Sequence, residues 1–273
     1  MIKVERQAKI LQMIRERGFI ENDELARTFK VTAATIRRDL KSLSEQGLVR
    51  IDHGGSSATS LFDGFIEPQY ETKVYLHHEA KRVIGFAAAS MVKDDDVIIL
   101  DSGTTNAQIA HSLRSLHYRH LTVITCDLMV AKELCPDPGI DVILLGGRLR
   151  RSFYSTYGPY AEAMLKNLRA NKFFLGIDAA SIEFGITNIV LEEVPLKQIS
   201  IQNSDQVILV GDASKFGKDT LHRVCGWESI DVVITDQCVA PAYLDFWQKM
   251  NIVTQVVEVP SPPCDERKIV DDV

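Results

Sequence analysis

Residues Thr32 to Gly55, TAATIRRDLKSLSEQGLVRIDHGG, leave few ways for the chain around them to fold. Set on a helix at about 100° per residue, Thr32–Gln46 brings Ile36, Leu40 and Leu43 to i, i+4 and i+7, a single apolar stripe. Arg38 and Lys41 project from the opposite face, with Thr35 and Arg37 at its flanks. Thr32 stands where a hydroxyl accepts from a free N–H of the first turn. Gly47 stands where a residue able to take positive φ ends a helix. Leu48–Ile51 then reads as a short strand and Asp52–Gly55 as a tight turn. The stripe needs a partner to pack on, and the basic face needs an anion.

The preceding residues supply the partner. Glu5–Arg17 has a helical pattern with Ala8, Leu11 and Ile14 on one side. Asp23 can cap a second helix, Glu24–Phe29, whose Leu25, Ala26 and Phe29 are apolar. Lys30-Val31 leaves only a tight turn before the basic helix, as in a helix-turn-helix unit followed by a small β wing. An isolated Thr-x-Arg-Arg run is as well read as a solvated surface; two helices ahead of it favour DNA. The candidate DNA contacts are Thr32, Thr35, Arg37, Arg38 and Lys41 toward the major groove, and Arg50 and His53 toward the backbone from the wing.

Charge is divided in keeping with that reading. Residues 1–55 hold 11 of the 31 Lys/Arg and 8 of the 37 Asp/Glu, a net +3; the other 20 and 29 make the rest −9. A mildly basic head on an acidic body suits local, oriented DNA contact rather than wrapping. The 273 residues fit two domains, and no apolar run reaches membrane-spanning length. Met1-Ile2-Lys3-Val4 leads straight into a polar helix, without a secretory signal. Cys126, Cys135, Cys225, Cys238 and Cys264 are dispersed and lack a Cys-x-x-Cys, so reduced cytoplasmic thiols are expected rather than disulfides or zinc ligands. No metal or cofactor is indicated.

The expected boundaries are 1–57 for the winged helix-turn-helix, 58–78 for a linker and entry to the second domain, 79–259 for an α/β domain and 260–273 for a polar tail. Leu61, Phe62, Phe65 and Ile66 are expected to pack on something. From Glu79–Val92, a helix, the pattern alternates. Apolar runs at 97–100, 121–125, 140–145, 173–177, 207–210, 232–235 and 253–259 read as strands. Helical stretches at 106–116, 128–134, 160–168, 192–202 and 243–250 stand between them. Apolar runs without alternation, separated by helices, imply a mostly parallel, Rossmann-like sheet covered on both faces.

Open α/β sheets bind ligands beyond the carboxyl ends of their strands. Asp101-Ser102-Gly103-Thr104-Thr105 lies there, between the strand 97–100 and a helix. Gly103 permits a tight turn; loop amides and the helix amino terminus can point at an anion, and three hydroxyls add donors. Alone, such a loop is as readily a capped βα turn as a phosphate cradle. Repetition at other strand ends adds weight: Thr125, Gly146-Gly147, Asp178, and Lys215 within the 212–217 loop. Arg148, Arg150 and Arg151 read as a solvated or interface patch before they read as ligand contacts.

Both halves resemble one family. Arg6, Ile10, Leu11, Gly18, Asp23-Glu24-Leu25-Ala26, Phe29, Val31, Thr35-Ile36-Arg37-Arg38-Asp39-Leu40, Gly47 and His53-Gly54-Gly55 are similar to the amino-terminal signature of the DeoR family, bacterial winged helix-turn-helix repressors of sugar-use operons. Thr32 and Ser56 stand where that family usually has Ser and Ala. The Asp101–Thr105 loop, Gly146-Gly147, Gly158, Phe174–Asp178, Gly185, Asp212/Ser214–Gly217 and Ile234–Asp236 resemble its effector domain, over roughly residues 3–258 in all. The resemblance implies a fold similar to ribose-5-phosphate isomerase, sensing of a phosphorylated sugar, and a homo-oligomer, dimer or tetramer, that operates in the cytoplasm and releases operator DNA when the effector binds. Cys126-Asp127 departs from the family's Asn-Ser; Asp127 is expected to repel a phosphate and to turn that corner toward hydroxyls or an amine. Two other classes stay open. One is an isomerase or deaminase with an appended head, its general base among Asp178, Glu192 and Glu193; the other is an activator that binds DNA with its effector.

Overall fold

The computed structural model describes residues 1–58 and 66–260 and divides into two units, Met1–His78 and Glu79–Val273. In the first unit come α1 (Lys3–Arg17), β1 (Phe19–Glu21), α2 (Asn22–Phe29), α3 (Ala33–Glu45), β2 (Val49–Asp52), β3 (Gly55–Ala58) and α4 (Tyr70–Lys73). Thr32 caps α3, its hydroxyl accepting from Thr35 N–H at 3.2 Å, and Gly47 follows the helix at φ +73°. Ala8, Leu11, Ile14, Leu25, Ile36, Leu40 and Leu43 are all buried in one core. Each contributes roughly 1.5–3 kcal/mol if a Leu- or Ile-sized side chain, less for Ala.

Three expectations are corrected here. Asp23 does not cap α2: the helix begins at Asn22 with no side-chain cap, and Asp23 lies in its first turn, where a carboxylate favours the helix dipole. The wing is a three-stranded antiparallel sheet, ordered β1-β3-β2, rather than a lone strand and turn. Gly55 admits the third strand, since a Cβ there would meet the Phe19 ring at 2.4 Å. Residues 66–78, within the stretch expected as linker and entry to the second domain, group with the first unit: Tyr70, Thr72 and Leu76 are buried, and Leu76, Tyr75 and Ile66 pack on its core. Leu61, Phe62 and Phe65, and the tail from 261, lie outside the described residues.

The second unit runs α5 (His78–Ala89), β4 (Val97–Leu100), α6 (Thr104–Leu113), β5 (Leu121–Thr125), α7 (Leu128–Leu134), β6 (Ile140–Leu144), β7 (Arg148–Arg150), β8 (Ser155–Tyr157), α8 (Pro159–Leu165), β9 (Ala170–Gly176), β10 (Ala179–Ser181), β11 (Gly185–Asn188), α9 (Val194–Gln202), β12 (Ser204–Val210), β13 (His222–Cys225), β14 (Val232–Asp236), α10 (Pro241–Lys249) and β15 (Val253–Val257). Seven strands form a wholly parallel sheet ordered β15-β14-β12-β9-β4-β5-β6. Its two faces carry two cores. Ile99, Ile124, Phe173, Leu175 and Leu209 point to one, and Ile98, Leu100, Val123, Phe174 and Ile208 to the other. Burial on both sides explains the unbroken apolar runs.

The first strand, β4, lies inside the sheet; the chain adds β5 and β6 on one side of it, then returns to lay β9 on the other. The crevice between β4 and β9 is therefore a topological switch point, where ligands enter such folds. The β7–β8 hairpin and the small sheet β10-β11-β13 were not expected from the pattern, because their strands of three or four residues are too short to show a period. Among the described residues Cys126, Cys135 and Cys225 are free thiols, as expected of dispersed cysteines.

Candidate DNA-contact face and effector site

Helix α3 is held from behind by a buried charge pair. Asp39, 1% exposed, accepts from Arg6 Nε at 2.6 Å and from Gln7 Nε2 at 3.2 Å, both on α1. One face of α3 is thereby fixed, and the other is free to meet an anion. Arg37, Arg38 and Lys41 are exposed there; Lys41 pairs loosely with Glu45 at 3.9 Å, while Arg37 and Arg38 take no ion-pair partner among the described residues. Thr32 and Thr35 share a hydroxyl contact of 3.0 Å at the start of the helix. On the wing, Arg50 and His53 are exposed, with Arg50 Nε bonded to Asp52 at 3.0 Å. The structure thus gathers all seven candidates on α3 and on the β2–β3 end of the wing.

In the second unit the Asp101–Thr105 loop closes the β4 side of the crevice. Gly103, at φ +115°, precedes α6, and the N–H groups of Thr104, Thr105 and Asn106 open that helix outside its i→i−4 ladder. Ser102, Gly103 and Thr105 are partly exposed and Thr104 is buried. Asp101 is buried and faces inward: Oδ1 accepts from Ser102 N–H at 2.8 Å, and Oδ2 from Gly176 N–H at 3.0 Å and from Lys197 Nζ. Lys197 also donates to Gly176 C=O at 3.0 Å. Burial works against the Lys197 charge, but the Asp101, Glu193 and Asp178 carboxylates outweigh it and raise its pKa.

The other candidates disperse around this centre. Asp178, just past β9, accepts from Ile189 N–H at 3.0 Å. Thr125 is fully buried, its hydroxyl accepting from Asp127 N–H at 3.0 Å, so it builds the turn beneath the site. Gly146 and Gly147 follow β6, and Lys215 follows β12; each lies two strands from β4, on opposite sides, at about 10 Å by the usual strand spacing. Glu193 is engaged by Arg150 Nη1 and Ser155 Oγ at 3.0 Å and by Asn188 Nδ2 at 3.3 Å. Arg150 is thus an internal ion-pair partner of Glu193, stacked on Phe153 at 3.7 Å, rather than solvated surface charge.

Asp127 departs from one part of the expectation, that this corner faces a ligand hydroxyl or amine. It is fully buried, and both oxygens are occupied by amides: Oδ1 takes Met129 and Val130 N–H, capping α7, and Oδ2 takes Gly103 N–H at 2.9 Å. It offers nothing to a ligand hydroxyl or amine.

Two residues escaped the sequence reading. Lys197 has the look of a surface lysine in EEVPLKQIS; the available signal was its place on the buried face of α9, in line with Val194 and Ser200. Asn106 is fully buried beside Gly176, and neither Oδ1 nor Nδ2 has a partner.

Comparison with known proteins agrees with the two units. Residues 6–60 match the DeoR-like helix-turn-helix domain, and residues 76–237 the DeoR C terminal sensor domain. The chain is 32% identical to a putative aga operon transcriptional repressor of Escherichia coli O157:H7, covering 91% of both proteins. It is 30% identical to the glycerol-3-phosphate regulon repressor of Escherichia coli K12, over 86% of this chain and 92% of that one. Among solved structures, ribose 5 phosphate isomerase A from Neisseria gonorrhoeae is similar at a TM-score of 0.37 and 14% identity, over 50% of this chain and 52% of that one. No described helix is long and apolar enough to cross a membrane.

Proposed function

Because the chain belongs to the DeoR family of helix-turn-helix transcriptional regulators, we propose that it represses a carbohydrate-use operon and leaves its operator when a phosphorylated sugar binds at the β4–β9 crevice. Helix α3 reads the major groove with Thr32, Thr35, Arg37, Arg38 and Lys41, and the wing holds the backbone with Arg50 and His53. The protein acts in the cytoplasm as a homo-oligomer, whose two-fold pairs of heads meet repeated half-sites. The names of relatives, an aga operon repressor and a glycerol-3-phosphate regulon repressor, support the substrate class.

The observation that carries the sensing half is the opening of α6. Three N–H groups outside the helical ladder, with the hydroxyls of Ser102, Thr104 and Thr105, stand at the switch point beside an Asn106 whose donor and acceptor are unused. Phosphate suits the first set, and sugar hydroxyls the second. Asp101, Gly103, Asp178 and the Lys197 ammonium shape the floor between them, with Thr125 beneath; Gly146, Gly147 and Lys215 flank it. Sensing is favoured over turnover because one of the candidate bases, Glu193, and the buried ion pair at the crevice are already engaged. Lys197 and Asp101 neutralise each other, and three donors hold Glu193.

Replacing Thr104 and Thr105 by Ala, or Lys215 by Ala, tests this. Operator affinity stays near wild type, while release by the inducing sugar phosphate is lost, since each charge-assisted bond removed weakens capture by roughly 1.5–3 kcal/mol. A ligand shifts an equilibrium only by its differential affinity for the two states, so the phenotype is a super-repressor. Loss of operator binding without any ligand would instead make the loop structural, or the protein an activator.

A further inference from the structure

A carboxylate is built into the wall of the Asp101–Thr105 loop. Asp127, carried by the β5–α7 turn, reaches across to the β4–α6 turn and accepts the Gly103 N–H, the donor that precedes the three open amides of α6. A shorter Ser in its place would cap α7 without reaching Gly103. Asp101 likewise takes the Ser102 N–H, so two loop amides are already bonded to carboxylates.

We propose that Asp127 sets which anions this loop accepts, admitting a dianion such as a phosphate monoester only together with a proton taken up by Asp127. The proposal rests on the reading of the loop as the anion end of the effector site. An oxygen held by the Thr104 and Thr105 amides stands about one residue step from Gly103 N–H, and so about 5 Å from the Asp127 carboxylate. At an effective dielectric near 20, like charges at that separation lower affinity by roughly two powers of ten. Protonation removes the repulsion and loosens the grip on Gly103 N–H, which turns to the incoming anion. The proton comes from solvent, and no other bond changes. The surroundings favour this step: burial raises the Asp127 carboxyl most, the three amides pull it down, and the nearby Asp101 charge adds to the rise, which leaves it at about 6. The other charged or titratable groups in this neighbourhood are Cys126, Glu193 and Lys197. Burial pushes the Cys126 thiol up and Lys197 stays cationic, so neither titrates in the same range.

The test uses the full-length protein and sulfate, which stays a dianion throughout, titrated at pH 5.5 and 7.5 at fixed ionic strength. Wild type is expected to bind sulfate about tenfold or more tightly at the lower pH, because affinity scales with the protonated, competent fraction. Asp127→Asn keeps an acceptor for the α7 amides and frees Gly103 N–H; it is expected to bind tightly and equally at both pH values. Asp127→Ser gives the same result if the Asn variant folds poorly. Equal, pH-independent binding by wild type and both variants would overturn the role of Asp127 and leave the anion site standing. Weaker binding by the variants at both pH values would overturn it too. Sulfate binding that is absent, or unchanged by Thr104→Ala with Thr105→Ala, would remove the anion site itself and the proposal with it.

Discussion

Removing Asp39 should abolish DNA binding although Asp39 cannot touch DNA. The carboxylate is 1% exposed and the Arg6 side chain 12%, so their 2.6 Å contact lies almost wholly out of water. Breaking a buried pair by deleting one partner typically costs about 3–5 kcal/mol, because the remaining charge is stranded. In Asp39→Ala the Arg6 guanidinium is that stranded charge, and Gln7 loses its acceptor as well. What is lost is the strut between α1 and α3, so the register of the reading helix goes with it. Amide hydrogen exchange, read peptide by peptide in the full-length protein, reports the local opening energy of α3. Exchange across Ala33–Glu45 should quicken by two to three powers of ten, while peptides of β4 and β9 keep their wild-type rates. Operator binding by fluorescence anisotropy should fall in parallel. Arg6→Met with Asp39→Leu should recover much of the protection, because no charge is then stranded. If Asp39→Ala exchanges within about tenfold of wild type across α3, the pair is not the strut and the argument fails.

Arg38→Ala, on the free face of α3, should keep the fold and lose roughly 1–3 kcal/mol at one base position if it grips a guanine bidentately; an even loss across sequences with a flatter salt slope marks a phosphate contact, and unchanged binding removes it from the interface. Lys197→Met strands the Asp101 carboxylate at the crevice floor and should lower the apparent melting temperature of the second unit, with Lys197→Arg less damaging; an unaltered melt of Lys197→Met refutes the pairing. A chain beginning at Glu79 should sediment as an oligomer at micromolar concentration, and a monomer there would count against pairing through this unit.

Much of this was legible beforehand, and the reasons are local. Val97–Leu100, Leu121–Thr125 and Leu128–Leu134 have the bounds read from their patterns, because strand and helix ends there coincide with Asp101, Asp127 and other turn formers. The Thr32 cap and the Ile36–Leu40–Leu43 stripe rest on spacing alone, and spacing suffices within one helix. The crevice is another matter. Lys197 meets Asp101 across 96 residues, and no periodicity in either segment announces the other. Asp127 was read by its charge, whereas its environment decides its role: three amides saturate it before any ligand arrives. Of the wing strands, β2 was read and β1 and β3 escaped, because Gly-Ser-Ser-Ala shows no alternation, yet its pairing with Phe19–Glu21 needs only backbone and a missing Cβ.

The placement of β4 beside β9 also has a consequence for birth on the ribosome. Lys172 reaches back 76 residues to Asp96, and the Asp101–Lys197 bond waits for α9. The reading unit, by contrast, is complete in sequence at His78. At about 5–20 residues per second, the 119 residues from His78 to Lys197 take roughly 6–24 s to synthesise. Through that interval a nascent chain carries a complete helix-turn-helix unit, but neither the closed crevice nor the second unit that follows it.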